Sequence, residues 1–217
     1  MFKDRKEAGR LLGQKLLKYK NRKDVVILAL PRGGVIVAHE IAKLLDLPFD
    51  IIVTRKIGAQ ENPEYAVAAV GQNIILKNED AANIDTNYFQ KEVGDQRKEI
   101  ARRLKLYRQD RKAVNIENKI VIIVDDGIAT GLTMKAAILE TKRLSPKKII
   151  VAVPVASAET NKELEKDARE IIILETPSPF FAIGQFYENF GQVSDEEVIR
   201  ILKQGDTATN LHTNIYK

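Results

Sequence analysis

The 217-residue sequence has no cysteine, which excludes disulfides, zinc–thiolate centres, iron–sulfur clusters and cysteine nucleophiles together. Long apolar runs are missing as well: the longest is about six residues, against the ~20 needed to cross a bilayer as a helix. The opening stretch MFKDRKEAGR is highly charged and lacks an apolar core of signal-peptide length. These absences point to a soluble cytoplasmic protein. No internal repeat, low-complexity segment or Ser/Gly-rich linker interrupts the chain. Histidine is scarce: His39 falls on the polar face of a helical pattern and His212 in a polar tail, and neither suggests catalysis.

What is present is a net charge of +5, a balance that favours anionic partners such as phosphorylated metabolites or nucleic acid. Continuously apolar, Val/Ile-rich runs at 25–30, 49–53, 120–124, 149–153 and 171–174 read as strands buried on both faces. Between them, 35–45, 132–144 and 159–169 have helical spacing. This alternation predicts an α/β fold, a parallel sheet flanked by helices on both faces. Outside that core, 4–20 reads as an amphipathic helix with Ala8, Leu11, Leu12, Leu16 and Leu17 on one face. Residues 65–77 suggest a hairpin turning near Gly71 and Gln72, and 87–111 a long helix with Phe89, Val93, Ile100, Leu104 and Tyr107 on one stripe.

In open parallel sheets ligands bind beyond the carboxyl ends of the strands. The third run is followed by Asp125-Asp126-Gly127-Ile128-Ala129-Thr130-Gly131-Leu132-Thr133 and then a helix. Loop N–H groups and a helix amino terminus make an anion site. Gly131 admits close approach, and Thr130 and Thr133 add hydroxyl donors. Neither the Walker nor the dinucleotide glycine spacing is present. Two carboxylates beside an anion site repel phosphate unless they bind sugar hydroxyls or magnesium; a ribose 5-phosphate satisfies both halves.

This run, an apolar strand, two acidic residues and then Thr-Gly with a further hydroxyl, resembles the binding motif for phosphoribosyl pyrophosphate (PRPP) of type I phosphoribosyltransferases. From Phe2-Lys-Asp-Arg to Ser194-Asp-Glu-Glu-Val, about nine tenths of its length, the chain is similar to the subfamily of predicted phosphoribosyltransferases. The resemblance implies a single domain at 1–205, with a lid at about 55–77, a hood at about 176–190 and a flexible tail at 206–217. It implies transfer of 5-phosphoribose from PRPP to a nitrogenous acceptor, Mg2+ as cofactor, a homodimer and a place in nucleotide metabolism. Asp125 and Asp126 would be the catalytic pair, holding the ribose and, through its hydroxyls or water, the magnesium. Gly127, Ala129, Thr130, Gly131 and Thr133 would hold the 5-phosphate.

The first run ends in Pro31-Arg32-Gly33-Gly34, an Arg beside two glycines at a strand end, which reads as a second anion site. The resemblance assigns it the pyrophosphate and implies a cis Pro31–Arg32 peptide. Arg55 and Lys56, at the root of the implied lid, are further pyrophosphate contacts. The family's 6-oxopurine branch has an aspartate where this chain has Ala129, so that reaction is not assigned. Glu61 and Glu64 are then the nearest acid/base candidates, and Phe180, Phe181, Phe186 and Tyr187 of the hood are placed to stack on a heterocycle or to pack. Two alternatives stand beside the transferase. One is a PRPP-sensing regulator that binds nucleic acid through Arg97, Lys98, Arg102, Arg103, Lys105, Arg108, Arg111 and Lys112. The other is a hydrolase of PRPP-like sugars.

Overall fold

The computed structural model describes the backbone of residues 1–213 and the side chains of residues 1–205. The tail expected at 206–217, including the His212 side chain, lies outside the fully described residues. In chain order the elements are α1 (Arg5–Lys15), β1 (Val25–Ala29), α2 (Gly33–Leu45), β2 (Phe49–Ile51), β3 (Arg55–Gly58), β4 (Ala66–Val70) and β5 (Ile75–Lys77). They continue with α3 (Thr86–Arg108), β6 (Ile120–Val124), α4 (Leu132–Lys142), β7 (Lys148–Val155), α5 (Ala158–Leu164), β8 (Glu170–Glu175) and α6 (Asp195–Thr213).

Five strands form one parallel sheet in the order β2-β1-β6-β7-β8. Its alternation explains the continuous apolar runs. Val25, Ile27, Ala29, Ile120, Ile122 and Val124 join Leu12, Ile41 and Ile201 on one face. Val26, Leu28, Val121, Ile123, Val151 and Val153 join Met134, Ile138 and Leu164 on the other. With both faces covered, the central strands β1 and β6 carry no polar residue, and the buried Asp50 of the edge strand β2 is held by Arg108 at 3.0 Å. The α/β architecture is the one expected from the alternation of strands and helices.

The hairpin expected at 65–77 is present as β4 and β5, closed by a hydrogen bond from Gly71 N to Ile74 O at 3.1 Å. It gains a partner the periodicity did not announce: β3 pairs antiparallel with β4. In Arg-Lys-Ile-Gly only Ile57 is buried, so no apolar run marks the strand. This small sheet packs against α3 and α4. The stripe Phe89, Val93, Ile100, Leu104 and Tyr107 is the buried face of α3. On α1 the expected face is only partly right. Ala8, Leu12 and Leu16 are buried, but Leu11 and Leu17 are 40% and 48% exposed. The α-helix ends at Lys15 and a 3-10 turn takes over at Leu17–Tyr19, which breaks the angular spacing that would place Leu17 on the face; Leu11 lies within the helix, at the margin of its buried stripe.

Chain direction sets the place of the site. From β1 the chain crosses through α2 to β2 on one side, and from β6 through α4 to β7 on the other. The loops after β1 and β6 therefore diverge from neighbouring strands, Ala29 standing opposite Val124. This is the crevice where α/β sheets bind ligands.

Candidate functional site

The two loops at this switch point touch. A Cβ added to Gly33 would lie 1.9 Å from Asp126 Oδ2, and one added to Gly34 would lie 2.8 Å from Asp125 Cα. Any larger residue at either position would drive the loops apart. The Pro31–Arg32 peptide is cis, as the resemblance implied.

The two aspartates, equivalent on paper, have different surroundings. Asp126 is 8% exposed. Its Oδ2 accepts from Arg5 Nε at 2.6 Å, and Arg5 also donates from Nη1 to Gly191 O at 2.8 Å while stacking on the Phe190 ring at 3.7 Å. The Asp126 backbone carbonyl accepts the Tyr187 hydroxyl at 2.6 Å. Asp125 is only partly buried and has no such ion pair; its Oδ1 accepts from Asp126 N at 2.8 Å. Burial first, and the Asp126 charge second, raise its carboxyl well above the ordinary range. Asp125 is thus the carboxylate with capacity left over, and Asp126 the one already held.

Beyond them Gly131 adopts φ +75° and opens α4, a left-handed conformation that glycine takes without steric cost. The loop is supported from behind: Ile128 N donates to Val155 O at 2.9 Å, and Thr160, 5% exposed, donates to Ala129 O at 2.6 Å. Ser157 caps α5 by accepting from Thr160 N. Ala129 and Thr130 are exposed and open onto a cavity of about 610 Å³ that also reaches Lys135, Ser157, Phe180 and Phe181.

Around the loop after β1, Arg55 is brought in from β3. Its guanidinium is desolvated, donates from Nε to Gln96 Oε1 at 2.8 Å, and has its pKa lowered by burial and by the nearby Arg103 and Arg32 charges. Lys56, its neighbour in the strand, projects from the opposite face and pairs with the exposed Glu64 at 2.8 Å. The pair expected to act together is split. Most of the span expected as a lid is packed strand, anchored at its far turn by the buried Glu140, which accepts from Asn73 N and Nδ2. Residues 60–65 are its longest continuously exposed stretch and carry Glu61 and Glu64.

In the hood, Tyr187 is 5% exposed and tilted against Phe2 and Phe190, so it is packed rather than free to stack. Phe186 packs on Phe180. Phe181, 83% exposed, has a free face. The arginines of α3 do not form one basic surface. Arg108 is held by the buried Asp50, Arg103 by Glu99, and Arg102 by Glu99 and Asp195. His39, placed on a polar face from sequence, is half-buried, and its Nδ1 lacks a partner. Arg5, Thr160 and Asp195 were not singled out from sequence, and Tyr107 was read only as part of the apolar stripe of its helix; each reaches the site through a contact distant in the chain, which no local pattern signals. Among the described residues no group of three or more His, Asp or Glu side chains is arranged to hold a metal, and no helix is long and apolar enough to cross a membrane.

A parallel sheet covered on both faces, with glycine-bearing loops meeting at its switch point, defines the class: an α/β protein of the type I phosphoribosyltransferase fold. The chain belongs to the phosphoribosyl transferase family, since the family described as Phosphoribosyl transferase domain matches residues 3–188. Two Mycobacterium tuberculosis proteins (strains CDC 1551 and H37Rv), each named "Putative phosphoribosyl transferase", are 40% identical over 206 residues, 93% of this chain. That stretch is 46% of their own length, so the chain spans about half the length of the curated relatives it matches. The crystal structure of TT1426 from Thermus thermophilus is similar at 38% identity and TM-score 0.79, covering 94% of this chain and 98% of that one. The AQ2163 protein from Aquifex aeolicus, 17% identical with TM-score 0.51 over 79% of this chain and 74% of that one, shares the fold.

Proposed function

We propose that the chain transfers the 5-phosphoribosyl group of PRPP to a nitrogen of a nucleobase-type acceptor and releases pyrophosphate. The observation that carries this reading is the contact between the loops. Gly33 and Gly34 lie directly on Asp126 and Asp125, so a ligand engaging both loops has an anionic group at each end and hydroxyls between, which is the layout of PRPP.

In this reading Asp125 accepts hydrogen bonds from the ribose hydroxyls, and Asp126, held by Arg5, fixes the loop and lends its remaining lone pairs. Gly127, Ala129, Thr130, Gly131 and Thr133 hold the 5-phosphate at the start of α4. Arg32, Gly33 and Gly34 hold the pyrophosphate with Arg55, and Lys56 joins them only by leaving Glu64. The C1–oxygen bond breaks with its electron pair leaving on pyrophosphate, and the acceptor nitrogen forms the new bond and sheds its proton. The arginines stabilise the charge gathering on the leaving group. Magnesium fits this donor set, because it commonly takes one or two carboxylates together with phosphate oxygens and water; Asp125 and the ligand would supply them. Bound there, the ion would neutralise charge on the departing pyrophosphate. Phe181 and the cavity beside Ala129 are the place for the acceptor. We assign the protein to nucleotide metabolism in the cytoplasm, acting as a homodimer.

The inward pairing of Arg103 and Arg108 disfavours the nucleic-acid reading. A thermal melt tests ligand binding: at ~100 times the dissociation constant, PRPP with magnesium stabilises the fold by roughly 2.7 kcal/mol. An unmoved melting temperature overturns the proposal. A screen of nucleobases for PRPP-dependent pyrophosphate release then names the acceptor, and release without any base marks a hydrolase instead.

A further inference from the structure

A cluster remote in sequence adjoins the loop after β1. Asp195, in the first turn of α6, accepts the Tyr107 hydroxyl on Oδ1 at 2.6 Å; the same oxygen lies 3.7 Å from Arg32 Nη1, and Oδ2 lies 3.7 Å from Arg102 Nη2. Tyr107 is 1% exposed, and burial together with this bond pushes its hydroxyl up to about 12, so it remains a proton donor. Arg103, paired with Glu99, and Arg55 face the same region. The carboxylates that pair with this group are Glu99 and Asp195; Arg55 has the Gln96 amide in place of one. Guanidinium groups that outnumber their partners, beside a loop opening on the switch point, need a multiply charged anion to balance them.

We propose that Asp195, held in place by Tyr107, is a positioning residue that aims Arg32 at the pyrophosphate of the bound ligand. The inference rests on the phosphoribosyl-transfer reading and adds α3 and α6 to the site. Two effects of opposite sign meet at Asp195. As a bare charge it repels pyrophosphate, so removing it would tighten binding. As a positioning group it holds Arg32 in the productive orientation, so removing it weakens binding.

The experiment is a calorimetric titration with inorganic pyrophosphate and magnesium chloride, paired with unliganded melting. Asp195→Asn is expected to weaken binding about tenfold, because the 3.7 Å ion pair that orients Arg32 is lost. The same substitution in an Arg32→Ala background is expected to cause no further loss, because the group it positions is gone, and to tighten binding slightly, because only the repulsion of the bare charge is left to remove. Tyr107→Phe, which keeps the carboxylate, loses less in the same direction and carries the test if Asp195→Asn does not fold. Tighter or unchanged binding in Asp195→Asn, or an equal loss in the Arg32→Ala background, overturns the inference while leaving the transferase reading intact. An unsubstituted chain that binds neither pyrophosphate nor PRPP overturns both.

Discussion

The loop after β6 and the loop after β1 solve the same problem in different ways. The first carries its donors on consecutive residues, from Gly127 to Thr133, and places them at the start of α4. Its support from Thr160 and Val155 comes from behind, which leaves Ala129 and Thr130 exposed. The second is three residues long, 30–32, and brings one charged side chain of its own. What surrounds Arg32 is recruited: Arg55 from β3, Arg103 and Tyr107 from α3, Asp195 from α6. The loop after β6 is also held from outside, by Arg5 and Tyr187 on Asp126, but its polar groups are its own. A recruited one depends on how the helices pack, so a change far from the ligand can alter it.

The most disruptive way to break that contrast is to remove the support of the self-contained loop. Arg5→Gln leaves the buried Asp126 carboxylate without its cation, and is expected to cost about 3–5 kcal/mol of unfolding free energy. A denaturant titration showing less than ~1 kcal/mol would mean the loop after β6 stands without Arg5. Next in size is Asp125→Asn, expected to weaken PRPP binding ten- to a hundredfold, or about 1.5–3 kcal/mol. Its unliganded stability should hold or rise. The folded-state pKa of Asp125 is raised, so its ionised form is disfavoured in the fold, and stability falls as pH climbs from the ordinary carboxylate range through the folded value. Melting curves across that range should therefore be flatter for the variant; an unchanged slope would place Asp125 in water. The two aspartate-linked variants thus separate, one acting on folding and the other on ligand. The smallest effect is expected at Lys56→Ala, within about 1 kcal/mol in both stability and PRPP affinity, since an exposed ion pair with Glu64 contributes little. A tenfold loss of affinity there would show that Lys56 leaves Glu64 when ligand binds, and would extend the recruited loop by one residue.

Much of the frame was legible because burial on both faces leaves a plain trace. β1 and β6 are uninterrupted apolar runs, and the α3 stripe repeats at helical spacing because one side of that helix is covered. Two elements escaped for the converse reason. β3 buries only Ile57, so its strand character comes from pairing with β4 and not from its own composition. The aromatic run of the hood gave no hint of which rings would pack: Tyr187 is committed to Phe2 and to the Asp126 carbonyl, whereas Phe181 is left outside.

The sequence was enough for the parallel sheet, for α1 to α5 and for the two loops at strand ends, because hydrophobic period and glycine placement act over a few residues and are written consecutively; α6 (Asp195–Thr213) was not anticipated. It could not distinguish Asp125 from Asp126. They are the same residue type in adjacent positions, and the difference between them is a guanidinium 121 residues away, aligned on Asp126 at 2.6 Å by the packing of α1. Compensation of a buried charge depends on distance in space, and only the folded chain brings Arg5 within reach of one carboxylate and leaves the other without an ion pair.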